Sequence, residues 1–244
     1  MANFARYAGV SDGIGPSPIV WDEIPKLEIE ARPSTGFGFY DQFGGALIEH
    51  TNGTTCKGWV VDYIANAGTI QPAEAFGGGI IILPAGAEDD GMQLQKPEAW
   101  EPLAGYSIAM GAKVTFSDAD QTDFFLGLST VDADILGSNP NDMIGFIVAD
   151  GSATLNYIIR KDGSGSATTT GETLTDTTFK LEVLITGKGN AKFYVDGVLV
   201  IESTSSNIES EEEMGFAIAH LLGATAADSV TVNWAYCYQW VDAK

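Results

Sequence analysis

The residues best equipped for chemistry are acids. Asp118, Asp120 and Asp123 stand at i, i+2 and i+5. Carboxylate oxygens at alternating positions of a loop can converge on a hard cation such as Ca²⁺. Asp132, Asp134, Asn139, Asn141 and Asp142 form a second oxygen-rich stretch. Neither stretch has the central Gly and closing Glu of an EF-hand. Acidic loops are most often simply solvated, so a calcium site at Asp118, Asp120 and Asp123 is weighed against a bare loop. Only two histidines occur, His50 and His220. The His-Glu-x-x-His, paired Cys-x-x-Cys, Gly-x-Ser-x-Gly and phosphate-cradling motifs are all absent. Zinc and triad chemistry therefore lack their parts. Trp21, Trp59, Trp100, Trp234 and Trp240 offer faces for stacking on sugars, although tryptophans of a sandwich mostly belong to its core.

The elements that would position these groups are strands. Phe179, Leu181, Val183 and Ile185 alternate with Lys180, Glu182 and Thr186, the period of a half-buried strand. After a Gly187-Lys188-Gly189-Asn190 turn, Lys192 to Ile201 carries Asp196-Gly197 between two β-branched runs, a strong hairpin signal. Ile108, Met110, Ala112, Val114 and Phe116 alternate in the same way. Further strands are expected at 46–49, 59–65, 80–83, 92–95, 124–129, 143–149, 154–160 and 214–221. In the last strand, Val230, Val232, Trp234, Tyr236, Tyr238 and Trp240 are expected to share one face. Asp-Gly occurs five times, with turn spacings that suit a sandwich. Helix is expected only as a turn or two.

Composition agrees. The 244 residues are 45% apolar and 18% charged with 29 glycines, enough for one sizeable core with many tight turns. The net charge of −21 argues against nucleic acid, whose binding needs a basic footprint. It also disfavours an anionic membrane. The longest aliphatic run, 80–83, is far too short to span a bilayer. The first residues lack the basic-then-apolar layout of a signal peptide, so synthesis in a cytoplasm is expected. Cys56 and Cys237 are free to pair, but nothing requires it, and a small buried thiol is the usual state of a strand cysteine such as Cys237.

Residues 1–35 differ from the rest. Gly13, Gly15, Pro16, Pro18, Pro25 and Pro33 are expected to break any regular element, while Trp21, Ile24, Leu27 and Ile29 are apolar anchors. This reads as an extended arm packing on its own domain or on a partner, ahead of a sandwich over 36–244.

Residues 76–241, about two thirds of the chain, resemble the concanavalin A-like (laminin G-like) jelly-roll sandwiches of bacteriophage virion proteins. The pieces that carry the likeness are GGGIIIL, MQLQKPEAWEP, YSIAMGAKVTFSDADQTDFFLGLS, NDMIGFIVADGSATLNYIIRKDG and TTFKLEVLITGKGNAKFYVDGVLV. The resemblance implies an all-β fold and a virion role. That role is a decoration (cement) protein on the capsid exterior, partnered by the major capsid protein and by copies of itself, with a trimer the first expectation. Trp21, Ile24, Leu27 and Ile29 would then serve attachment. The alternative it implies is a lectin-like, glycan-binding module of a tail fibre or adhesin. Laminarinase-type members of that fold carry Glu-x-Asp-x-x-Glu on one strand, which supplies a nucleophile and a general acid. Here Glu88 to Gln93 ends in Gln and contains a turn glycine, and Asp118-x-Asp120-x-x-Asp123 has aspartates alone. No enzyme is expected, and a hydrolase ranks last.

Overall fold

The structure is a computed structural model describing residues 15–31, 33–43, 54–56, 58–66, 68–73, 78–138, 140–187, 189–208, 212–224 and 228–242. Two antiparallel eight-stranded sheets face each other. Sheet A contains β1 (Gly36–Asp41), β4 (Thr69–Pro72), β5 (Ile80–Leu83), β7 (Tyr106–Phe116), β12 (Thr178–Thr186), β13 (Asn190–Val195), β14 (Val198–Ser203) and β16 (Val230–Val241). Its order is β14-β13-β12-β7-β16-β5-β4, with β1 also on β16. Sheet B contains β2 (Thr54–Cys56), β3 (Trp59–Ile64), β6 (Gly91–Gln95), β8 (Thr122–Ser129), β9 (Met143–Val148), β10 (Thr154–Arg160), β11 (Thr168–Thr173) and β15 (Gly215–Leu222), in the order β11-β10-β9-β8-β15-β6-β3-β2. The all-β sandwich expected from the alternation is what the chain forms. The expected strand at 46–49 and His50 lie outside the described residues.

The inner faces build one core. Ile108, Met110, Ala112, Val114 and Phe116 of β7 meet Phe124, Leu126 and Leu128 of β8 and Phe216 and Ile218 of β15. Phe116 and Phe124 pack edge-to-face across the gap, 5.1 Å between centroids. Two Asp-Gly pairs make hairpin turns with both residues at positive φ: Asp162 (51°) with Gly163 (74°), and Asp196 (51°) with Gly197 (80°). That backbone twist matches the flanking strands. Cys237 is a buried free thiol.

Three expectations need correction. Val230 and Val232 face the core, but Trp234, Tyr236 and Trp240 face outward. A register shift between Val232 and Trp234 against β7 inserts one residue, Asn233, and reverses the alternation. Second, the prolines of the N-terminal segment do not prevent regular structure. Pro18 opens α1 (Pro18–Trp21), and Pro25 immediately precedes α2 (Lys26–Ala31). Proline suits the first turn of a helix, where its missing N–H has no partner to lose. Third, β1, β2, β4 and β11 were not expected; the Thr-rich sequence of β11 has no apolar alternation to reveal it. Among the described residues no helix is long and apolar enough to cross a membrane.

Candidate functional site

The expected calcium trio is divided. The Asp118 and Asp120 carboxyls share a hydrogen bond. That bond, more than burial and the nearby Asp176 and Asp228, raises the Asp118 pKa. Asp123 faces another way, accepting the Asp150 N–H at 2.9 Å. Burial, with Asp150, Asp89 and Glu88 close by, pushes its pKa up to about 6. The second oxygen-rich loop spends its carboxylates on its own backbone. Asp132 accepts the Asp134 N–H, Asp134 the Gly137 N–H, and Asp142 the Asp162 N–H. No group of three or more His, Cys, Asp or Glu is disposed to hold a metal among the described residues.

The same end of the sandwich holds a largely buried polar network. Asp228 accepts the Ser117 hydroxyl at 2.5 Å and also the Thr122 hydroxyl. His220 Nε2 sits 3.7 Å from the same carboxylate. The ring is fully buried, so its pKa is lowered and the imidazole is neutral.

Part of the outer face of sheet B is covered from within the chain. Helix α3 (Ile135–Ser138) sets Ile135 and Leu136 on Phe125, Met143, Ile158, Ala217 and Ala219. Gln93 and Gln95 both donate to the Asp132 carbonyl, and Gln93 accepts the Ile135 N–H at 3.0 Å. The carboxylates at outward positions of β3, β6, β8, β9, β10 and β15 are Asp62 and Asp123. They are three strand spacings apart, roughly 14 Å.

The outer face of sheet A carries an aromatic row beneath the N-terminal segment. Val20, Ile24 and Ile29 are buried there against Leu184, Tyr194, Trp234, Tyr236 and Trp240. The Trp21 ring packs edge-on against Tyr40 (5.3 Å), Tyr236 (5.1 Å) and Tyr238 (5.9 Å). Lys26 Nζ stands 3.9 Å above the Trp21 ring, and burial lowers its pKa to about 8. Trp21, Ile24 and Ile29 are thus engaged within the chain, while the Leu27 side chain lies outside the described residues. The segment is a strap across its own sheet.

An open cleft remains where β1, β7 and β16 end. Ser34, Thr35, Gly36, Phe37, Tyr106, Gln239, Trp240 and Val241 line a cavity of about 130 Å³. Phe37, Tyr106 and Val241 are 43%, 38% and 45% exposed. Register explains their convergence. Phe37 pairs with Gln239 and Tyr106 with Val241, so all four project from the inner face where the sheets part. Trp100 backs the Phe37 ring at 5.9 Å. Gln239 is held rigid by Glu101, whose N–H it accepts (3.1 Å) and whose carbonyl it meets (2.8 Å). Sequence reading missed this cleft, because Phe37 and Tyr106 come from segments 69 residues apart.

No protein-family model matches the sequence, and no curated protein does. Solved structures do match. A protein of unknown function from Shewanella oneidensis MR-1 superposes with TM-score 0.61 at 12% identity, covering 91% of this chain and 97% of that one. The carbohydrate recognition domain of Emp47p gives 0.56 at 11%, covering 86% and 98%. The endo-1,3-β-glucanase of Streptomyces sioyaensis gives 0.55 at 13%, covering 86% and 98%. The fold is a concanavalin A-like jelly roll. At these identities the likeness is one of architecture, which hosts several functions.

Proposed function

We propose that the chain is a non-enzymatic, glycan-binding module. The cleft between Phe37 and Tyr106 carries this reading. Two part-exposed aromatic rings line a small cavity together with Val241 and a fixed Gln239, and apolar walls with few polar groups are how small-ligand sites are built. The similarity in fold to a carbohydrate recognition domain supports it. A glycan array followed by titration tests it. Phe37→Ala and Tyr106→Ala should each weaken the best glycan roughly tenfold, ~1.4 kcal/mol, with circular dichroism unchanged. Equal binding by both variants, or no glycan bound at all, refutes it.

One observation favours a second reading, a decoration protein assembled on a capsid exterior after synthesis in a host cytoplasm. Ile19, Val198 and Leu199 are 56%, 65% and 45% exposed. Ile19 and Leu199 lie toward the outer side of sheet A, near where Ser17 abuts Gly197 at the β13–β14 turn, while Val198 projects to the opposite side. Such a patch suits a protein surface or a second copy. Light scattering decides: a monomer at high salt, unable to bind capsids, ends this reading.

A further inference from the structure

Glu182 is fully buried although it points out of sheet A, because the strap covers it. Its Oε1 accepts the Ser17 N–H at 3.0 Å and the Tyr236 hydroxyl at 2.9 Å. Its Oε2 is buried with no hydrogen-bond partner. The donor from Ser17 belongs to the strap, at the residue that starts α1. One carboxyl therefore joins the strap to the sheet, with half of its polar capacity unmet.

We propose that Glu182 is a proton-operated latch: the strap seats on sheet A while this carboxyl is neutral and lifts as it ionises. Seating removes the group from water, and an ion with an unpartnered oxygen suffers most from that loss. The groups around it compensate the charge only in part. Its own strand offers Lys180; β7 offers Lys113, in register with Lys180; β13 presents Tyr194, and β16 presents Tyr236. On the strap, Glu23 lies near Tyr194, and Asp22 and Lys26 gather at Trp21. Burial raises the Glu182 pKa against the opposing hydrogen bonds from Ser17 and Tyr236 and the pull of Lys180. A lifted strap returns the carboxyl to water and its ordinary value near 4.5. The seated form thus holds the proton more tightly. Seating is complete below that ordinary value and is lost as pH rises through the seated value, by up to about tenfold per pH unit. Lifting bares Tyr40, Trp234, Tyr236 and Tyr238, so the aromatic face is exposed on the alkaline side.

Hydrogen exchange from pH 5 to 8 tests this in the full chain. The reporters are the Trp21, Asp22 and Ile29 amides, bonded to Ser17, Pro18 and Pro25. After correction for intrinsic exchange, their protection should fall with rising pH in the wild type, while β8 amides stay constant. In Glu182→Gln the strap amides should show no fall in protection with rising pH. A flat wild-type profile, or the same fall in Glu182→Gln, overturns the proposal. Should Glu182→Gln fail to fold, Tyr236→Phe decides. It removes a donor that favours the anion, so the midpoint should move to higher pH; an unmoved midpoint overturns the latch.

Discussion

Glu182 on β12 and Tyr236 on β16 are hydrogen-bonded at 2.9 Å although β7 runs between their strands. The residue between them in register is Gly111. A side chain there would stand in the carboxyl's path: an added Cβ meets Glu182 Cγ at 2.7 Å and the Leu181 carbonyl at 2.7 Å. Glycine inside a strand commonly marks such a close approach.

Gly111→Ala should therefore destabilise the protein by roughly 1–3 kcal/mol, the usual cost of overpacking. The alanine must push Glu182 off Tyr236. Urea denaturation measures the loss, and it should shrink when Glu182→Ala is added, because the clash with the Glu182 Cγ is then relieved while that with the Leu181 carbonyl remains.

Trp21→Ala should loosen the strap and leave the sandwich. It removes three edge-to-face ring contacts and the Lys26 cation above the ring, each aromatic pair contributing about 0.5–1.5 kcal/mol. Strap amides should exchange at least tenfold faster, while amides of β7 and β8 keep their protection. Equal loss in both regions would mean that the strap and the core unfold as one unit.

Asp123→Asn should stabilise the protein at pH 7. The native pKa of about 6 lies above the usual value of 3.8. The aspartate thus adds stability below the lower value, which is lost as pH rises to the higher. With the side chain part-exposed, screening limits the gain to about 1 kcal/mol. Asn keeps the oxygen that accepts the Asp150 N–H. Thermal melts at pH 3.5 and pH 7 should show the gain only at the latter.

His220 works in the opposite direction. Burial lowers its pKa from 6.5, so its contribution is present above that value and fades as acid charges the unfolded chain first. His220→Gln cannot take up a proton and should flatten the stability profile below pH 6.5. Equal slopes in wild type and variant would exclude His220 as the cause.

The sandwich was legible because single strands carry their own signal. The alternation from Ile108 to Phe116 and the Asp196-Gly197 hairpin needed no knowledge of partners. Where the period was interrupted, reading failed. The extra residue at Asn233 turned the four later aromatics of β16 outward, and a period-two count cannot see one insertion. The sites were less legible still. Asp118 and Asp123 are five positions apart, but the turn between β7 and β8 separates their directions. Glu182 looked like a solvent-side residue of its strand, because its cover comes from a segment 165 positions away. Gly111 was the local hint, an unexplained glycine amid a long strand.

The bulge at Asn233 also divides the neighbours of β16. Residues 230–232 pair with β5, and residues 235–240 with β1, while β7 runs along the other edge. Segments from near residue 40, residue 80 and residue 110 thus meet on one twelve-residue strand near the C-terminus. During synthesis on the ribosome, sheet A stays open down its middle until residues 230–241 have emerged. Contacts this distant in sequence make for slow folding. The exposed edges of β5, β7 and β1 are then the points at which a nascent chain is vulnerable to aggregation.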